Sequence, residues 1–219
     1  LDGARADPYQ FTRIFTAFYE TPTNNVSANV LWVNPIADLL IPQRATLFGW
    51  SVLLPCLYLL YRMAFEWEWR YGILLGVLGG GLPLTHTHSF LALAVLSGGA
   101  LVWHLTTDAR LARKYLPYAG IALLLSLPQL LRFTFAQADN AGFLRLTFNW
   151  VNKEDPYLWF YIKNIGLPFV FLPFAFAAEK RLQPFFLCAL PLWILCEFIV
   201  FQPNNYDNNK LLYVVHMLV

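Results

Sequence analysis

Charge is absent from long stretches of this chain and gathered into short ones, and that spacing predicts helices separated by tight loops. Residues 45–61 contain no Asp, Glu, Lys or Arg and read as a first membrane span, with Pro55 a tolerated kink. Arg62 to Arg70 is a short charged loop carrying Trp67 and Trp69. Residues 71–107 again lack all four charged types. A single helix of that length would run roughly 55 Å against a hydrocarbon core of roughly 30 Å, so the stretch must fold back. The break is expected at Gly79-Gly80-Gly81-Leu82-Pro83, ahead of Thr85-His86-Thr87-His88-Ser89. That gives two short helices, 71–84 and 89–105, either full spans or re-entrant, with the histidines near the tip. Further spans are predicted at 115–131, at 157–178 (apolar except for Lys163) and at 184–201 (apolar except for Glu197). The polar turn 202–209 follows, and 210–219 opens a last span that stops short. The expectation is an all-α, polytopic transmembrane helix bundle over 45–219.

Residues 1–44 differ from the rest. They are mixed in polarity, with turn signals at Asp7-Pro8, Thr21-Pro22, Asn34-Pro35 and Ile41-Pro42. Phe11, Ile14, Phe15 and Phe18 recur at helical spacing, which fits an amphipathic helix lying in the interface or a short helix packed on the outer helices. Asn25-Val26-Ser27 is a glycosylation sequon, a pattern common by chance. Neither terminus has the character of a natural end, so segments are expected on both sides.

Composition agrees with the pattern. Hydrophobic residues are 58% and charged residues 13% of the chain, with a mean hydropathy of +0.49. A soluble domain carries about 25% charged residues, so too few are present to cover a water-facing surface. Aromatics at 17% suit the rings that collect at bilayer interfaces. A net charge of +2, with no basic stripe longer than Arg110-Arg113-Lys114, excludes a nucleic-acid partner and leaves the lipid bilayer as the expected one. Cys56, Cys188 and Cys196 all lie in apolar runs and read as small buried hydrophobes.

The Lys and Arg bias then sets orientation. With 71–107 folded back, the loops at 62–70, 106–114 and 179–183 share one side, densely basic and therefore cytoplasmic. The N-terminal segment, the histidine tip and the 202–209 turn share the outer face.

Ionisable groups within apolar runs need a reason to be there. Lys163 lies about six residues, roughly 9 Å, inside its helix, and Glu197 falls at similar depth on the next. They could form an ion pair fastening two helices, or line a cavity open to the outer face; snorkelling of Lys163 is a third reading. His86 and His88 could hydrogen-bond a phosphate or sugar, or cap helix ends. A divalent metal is not supported by their spacing, because no third ligand is near, and no cofactor is evident. In the turn, Asp207 and Asn208 could hold sugar hydroxyls while Lys210 meets an anion, or the amides could simply shape the turn. Arg44 is a second cation at the outer interface, suited to a lipid phosphate or to plain anchoring. No phosphate-cradling loop and no Ser/His/Asp set can be assembled.

The order of motifs is similar to one group of microbial multi-spanning proteins. It runs Ile41-Pro42-Gln43-Arg44 into Leu47-Phe48-Gly49, then Leu82-Pro83-Leu84 with His86, His88, Ser89 and Phe90. Trp159 through Lys163-Asn164-Ile165-Gly166-Leu167-Pro168 and the Tyr206-Asp207-Asn208-Asn209-Lys210 turn extend it. That group resembles the GT-C superfamily, membrane glycosyltransferases that use polyprenyl-phosphate-linked sugars; the similarity spans roughly residues 36 to 215 as separate short motifs. It implies a site on the external face, with Arg44, Lys163 and Lys210 placed for the donor phosphate. His86, His88, Asp207, Asn208 and Glu197 would bind substrate. The catalytic carboxylate of such enzymes sits in the first external loop, expected upstream of Leu1. A transporter or lipid flippase, or a non-catalytic scaffold, are the rival expectations.

Overall fold

A long apolar segment gives its backbone no polar side chains to bond, so its N–H and C=O groups must bond each other, and helix is the local solution. The structure, a computed structural model, describes residues 26–66, 68–135, 144–149, 152, 154–201 and 207–218. The expected amphipathic helix at Phe11 to Phe18, Asn25 of the sequon, Trp67 and positions 202–206 of the polar turn lie outside the described residues. The described chain is all-α. Its helices are α1 (Arg44–Phe65), α2 (Arg70–Thr85), α3 (Thr87–Thr107), α4 (Tyr115–Gln129), α5 (Tyr157–Ile165), α6 (Leu167–Ala178), α7 (Gln183–Leu187), α8 (Leu190–Phe198) and α9 (Asn208–Met217). A 3-10 stretch, Ala109–Lys114, leads into α4, and a π-helical turn, Leu130–Thr134, extends it. Strands β1 (Arg145–Leu146) and β2 (Ile199–Val200) form one antiparallel pair, Arg145 opposite Val200.

Among the described residues, three helices are long and apolar enough to cross a membrane: Arg44–Phe65, Thr87–Thr107 and Ala109–Thr134. The pair α5 and α6, bent by 100° at Gly166, would make a fourth. The expected single run 157–178 is therefore broken. Gly166 adopts a φ of 79°, open to glycine without strain, and Pro168 follows in the first turn of α6, where its missing N–H costs nothing. The run 184–201 is likewise interrupted at Cys188 and Ala189, between α7 and α8.

The uncharged stretch 71–107 doubles back, but not at its glycines. Gly79, Gly80 and Gly81 are all helical; the break is the single extended residue His86, with φ −159° and ψ 98°. Gly79 and Gly80 face close neighbours, whereas Gly81 has open space beside it. A Cβ at Gly76 would lie 2.9 Å from Ile121 Cβ, one at Gly80 2.8 Å from Leu125 Cβ, and one at Gly79 2.8 Å from Leu93. Small residues here let α2 lie close to α4 and α3. Direction follows from contacts at the two ends of α1. Its first turns meet His86, where only a glycine at 49 leaves room, while Phe65 at its end meets the His104 ring at a tilt, ring centroids 5.6 Å apart. So α3 runs alongside α1, and α2 returns between them.

The charged loops gather at one end. Arg62 pairs with Glu66 at 2.6 Å and also with Glu68, while Arg181 reaches Glu66 at 2.7 Å. His104 Nδ1 meets the Tyr115 hydroxyl at 3.0 Å, which brings the 108–114 turn to the same end. The opposite end holds the start of α1, the His86 break and the start of α9. The core between them is aliphatic, with Leu53, Leu60, Leu75, Leu96, Leu192 and Leu212 all fully buried. Cys56, Cys188 and Cys196 are free and buried within it. The outside is apolar as well: Leu116, Leu124, Leu167, Phe171 and Phe174 are exposed.

Residues 30–34 form a strap laid across α5 and α9, entered from Asn29 at a φ of 54°. Val30 makes a β-bridge, and side chains satisfy other backbone groups of the strap. Asn164 accepts from Leu31 N at 2.6 Å and Trp32 N at 2.9 Å, and donates to Asn29 O at 3.1 Å. Asn209 donates to Leu31 O at 3.3 Å, and the Tyr213 hydroxyl donates to Val33 O. Trp32 is seated among the rings of Tyr161, Tyr213 and His216.

Candidate functional site

Three separate stretches of sequence meet at the end opposite the basic loops: the first turn of α1, the α2–α3 break and the start of α9. His86 is held from both ring nitrogens. Its Nδ1 lies 2.8 Å from Ser89 Oγ and its Nε2 3.5 Å from Thr46 Oγ1. The Thr46 hydroxyl also donates to Gln43 Oε1 at 3.1 Å. His88 follows in the first turn of α3, its ring centroid 5.3 Å from that of His86. Both imidazoles are buried.

Across from them Lys210 Nζ pairs with Asp207 Oδ1 at 2.8 Å, one turn apart on α9 and both largely covered. Lys210 is close enough to act electrostatically on both histidines, and Asp207 on His86. The charges of this ion pair thus act on two buried imidazoles. Such a group can bind hydroxyls, and it can take an anion on Lys210 if Asp207 yields. Asn208 faces elsewhere: it is fully buried, donating to Cys196 O and Ile199 O and accepting from Phe201 N, so it braces the turn. Arg44, the first residue of α1, is exposed and makes no ion pair among the described residues.

Lys163 and Glu197 do not pair. Lys163 reaches back along α5 to Asp155 Oδ2 at 2.5 Å, two turns earlier and just before the helix begins. Asn29 donates to the same carboxylate at 2.6 Å and to Asn152 at 2.8 Å. The Lys163 hydrogen bond, with that of Asn29, holds the Asp155 carboxyl below its usual range. Lys163 is therefore tied into the anchorage of the strap. Glu197 is buried beside Tyr157, yet neither of its oxygens makes a hydrogen bond of normal geometry. Asp155 and Asn164 escaped the sequence reading. Asn164 stands in the Lys163-Asn164-Ile165-Gly166 motif itself, and an acid just ahead of a helix bearing a lone lysine two turns on was the available signal for Asp155.

Among the described residues no three His, Cys, Asp or Glu side chains converge as a metal cluster. An open apolar groove lies away from the histidines, between α3 and α7–α8. No family model, no curated protein and no solved structure matches the chain.

Proposed function

We propose that this chain is a multi-pass protein of a microbial cytoplasmic membrane, with its basic loops inside. Its histidine end would take the sugar-phosphate of a polyprenyl-phosphate donor for transfer on the external face. The observation that carries the reading is the meeting of His86 and His88 with the Asp207–Lys210 pair, at the end of the helices that the Lys and Arg bias places outside. The apolar exterior supports the membrane half of it, and the motif resemblance to GT-C transferases supports the chemistry.

In this reading His88 hydrogen-bonds a sugar hydroxyl, and His86, its ring nitrogens engaged by Ser89 and Thr46, backs it. Lys210 stabilises the departing lipid phosphate once Asp207 releases it, and Arg44 stands as a second cation at the interface. Asp207, bound to a lysine, orients rather than serves as base; the catalytic carboxylate is unassigned. Lys163, held by Asp155, supports the site indirectly by anchoring the strap.

The test is transfer by the purified full-length protein in lipid nanodiscs, offered polyprenyl-phosphate-linked hexoses and pentoses carrying a radiolabel. Labelled product should form, and Lys210→Met should lower its rate about a hundredfold while helicity is kept. Folded protein that neither releases nor transfers any of the sugars would overturn the transferase reading. One observation favours transport instead: the 100° break within 157–178 is the kind of interrupted helix from which transporters build a binding site. Substrate flux into sealed vesicles, without chemical change, would choose that reading.

A further inference from the structure

The facing surfaces of α3 and α7–α8 do not close on each other. Gly98, Val102, Trp103 and Thr106 look across at Leu187 and Pro191 over an open groove of about 420 Å³. Two adjacent glycines set its form. At Gly99 a Cβ would lie 2.7 Å from the Cys188 carbonyl oxygen, so glycine there brings the two walls together. At Gly98 a Cβ would meet nothing within 4 Å, so the space beside it is open.

Both walls lead to positive charge at the same end. Helix α3 passes through Asp108 into the turn carrying Arg110 and Arg113, both exposed and without an ion pair among the described residues. Ahead of α7 stand Lys180, exposed, and Arg181, still 70% exposed although it reaches Glu66. Trp103 sits on the groove one turn before this cationic mouth, the level at which indole rings favour a headgroup interface. Apolar length and cationic mouth together specify an amphiphile with an anionic head. A spanning helix, about 10 Å across and about 30 Å long, displaces more than ~2,000 Å³ and is too large for this space. A single unbranched hydrocarbon chain is not.

We propose that the groove holds one acyl chain of an anionic phospholipid, with its phosphate at Arg110, Arg113 and Lys180. The site rests on the membrane part of the reading above and not on sugar transfer, since it lies at the end away from His86. Its function is that of a bound structural lipid sealing α3 against α7–α8 on the basic side.

The test is native mass spectrometry of the purified full-length protein in detergent, titrated with phosphatidylglycerol or with phosphatidylcholine of the same acyl chains. One phosphatidylglycerol should be retained, in preference to phosphatidylcholine. Gly98→Leu, whose Cβ meets nothing within 4 Å and whose side chain enters the open space, should abolish retention of both lipids while helicity and thermal midpoint hold. Arg110→Gln with Arg113→Gln should cut the preference by about tenfold or more and leave weak binding of either lipid. Should Gly98→Leu fail to fold, Val102→Trp fills the same space from an exposed position. Equal retention of the two lipids, undiminished retention by the groove-filling variant, or a second copy of the chain in place of lipid would each overturn the proposal. Resistance of the wild-type protein to carbonate extraction, measured in parallel, tests membrane integration separately.

Discussion

Asn164 is the side chain on which the strap depends most. One amide answers two backbone N–H groups, at Leu31 and Trp32, and one carbonyl, at Asn29. Truncation to Ala leaves those groups unpaired in a covered position, at a cost of about 2–4 kcal/mol. Unfolding in graded SDS should show that loss, and Asn164→Asp, which keeps the acceptor, should lose less. Asp155 makes the same region sensitive to acid. Its folded pKa lies below the unfolded value of 3.8, because Lys163 and Asn29 bind the ionised form. The stabilisation it supplies is complete above that unfolded value and drains away as pH falls through the folded one. Asp155→Asn should therefore lower thermal stability near neutrality and flatten the decline below pH ~4. In the sequence this partnership left one signal, an acid just ahead of a helix that bears a lone lysine two turns on. Spacing placed Lys163 and Glu197 at matching depth on neighbouring helices, but a lysine chain is long enough to turn back along its own helix. The acid it found lies in a polar loop whose return path no periodicity encodes.

Helices were legible wherever charge was missing, since exclusion of charge over a long stretch is a compositional fact and needs no knowledge of neighbours. Their interruptions were not. Gly79-Gly80-Gly81-Leu82-Pro83 has the composition of a break, yet it is helical, with Gly79 and Gly80 against α3 and α4, and the chain turns at His86 instead. A glycine kept for contact and a glycine kept for a bend look alike in one dimension. The two kinds separate by substitution. Gly80→Ala drives a methyl into Leu125 and should cost about 1–3 kcal/mol of thermal stability in detergent. Gly81→Ala meets nothing within 4 Å and should be neutral, or raise stability by up to about 1 kcal/mol through reduced freedom of the unfolded chain.

At the scale of the molecule the two ends differ in kind. One carries the Arg62, Glu66, Glu68 and Arg181 network, the other the histidines and the Asp207–Lys210 pair. If the helices cross a bilayer, these ends face opposite compartments. Thr85→Cys, near the break, and Lys180→Cys, in the turn before α7, are both exposed positions, and the three native cysteines are buried. A membrane-impermeant thiol reagent added to sealed, right-side-out vesicles should label position 85 and spare position 180. Labelling of both from one side would overturn the proposed topology. The convergence of the histidines with the Asp207–Lys210 pair was readable in outline, because folding back 71–107 and counting spans brings both to one face. The internal ion pair that neutralises Lys210 was not.

The strap also has a consequence in time. Leu31 leaves the ribosome 178 positions ahead of Asn209, which bonds its carbonyl. At about 5–20 residues per second, some ten to forty seconds of synthesis separate the two. Throughout that interval the Trp32 indole has no finished niche to enter, so docking of the strap can only follow the synthesis of α9. A nascent chain arrested before Asn209 should keep this stretch open to protease, and release of the complete chain should protect it.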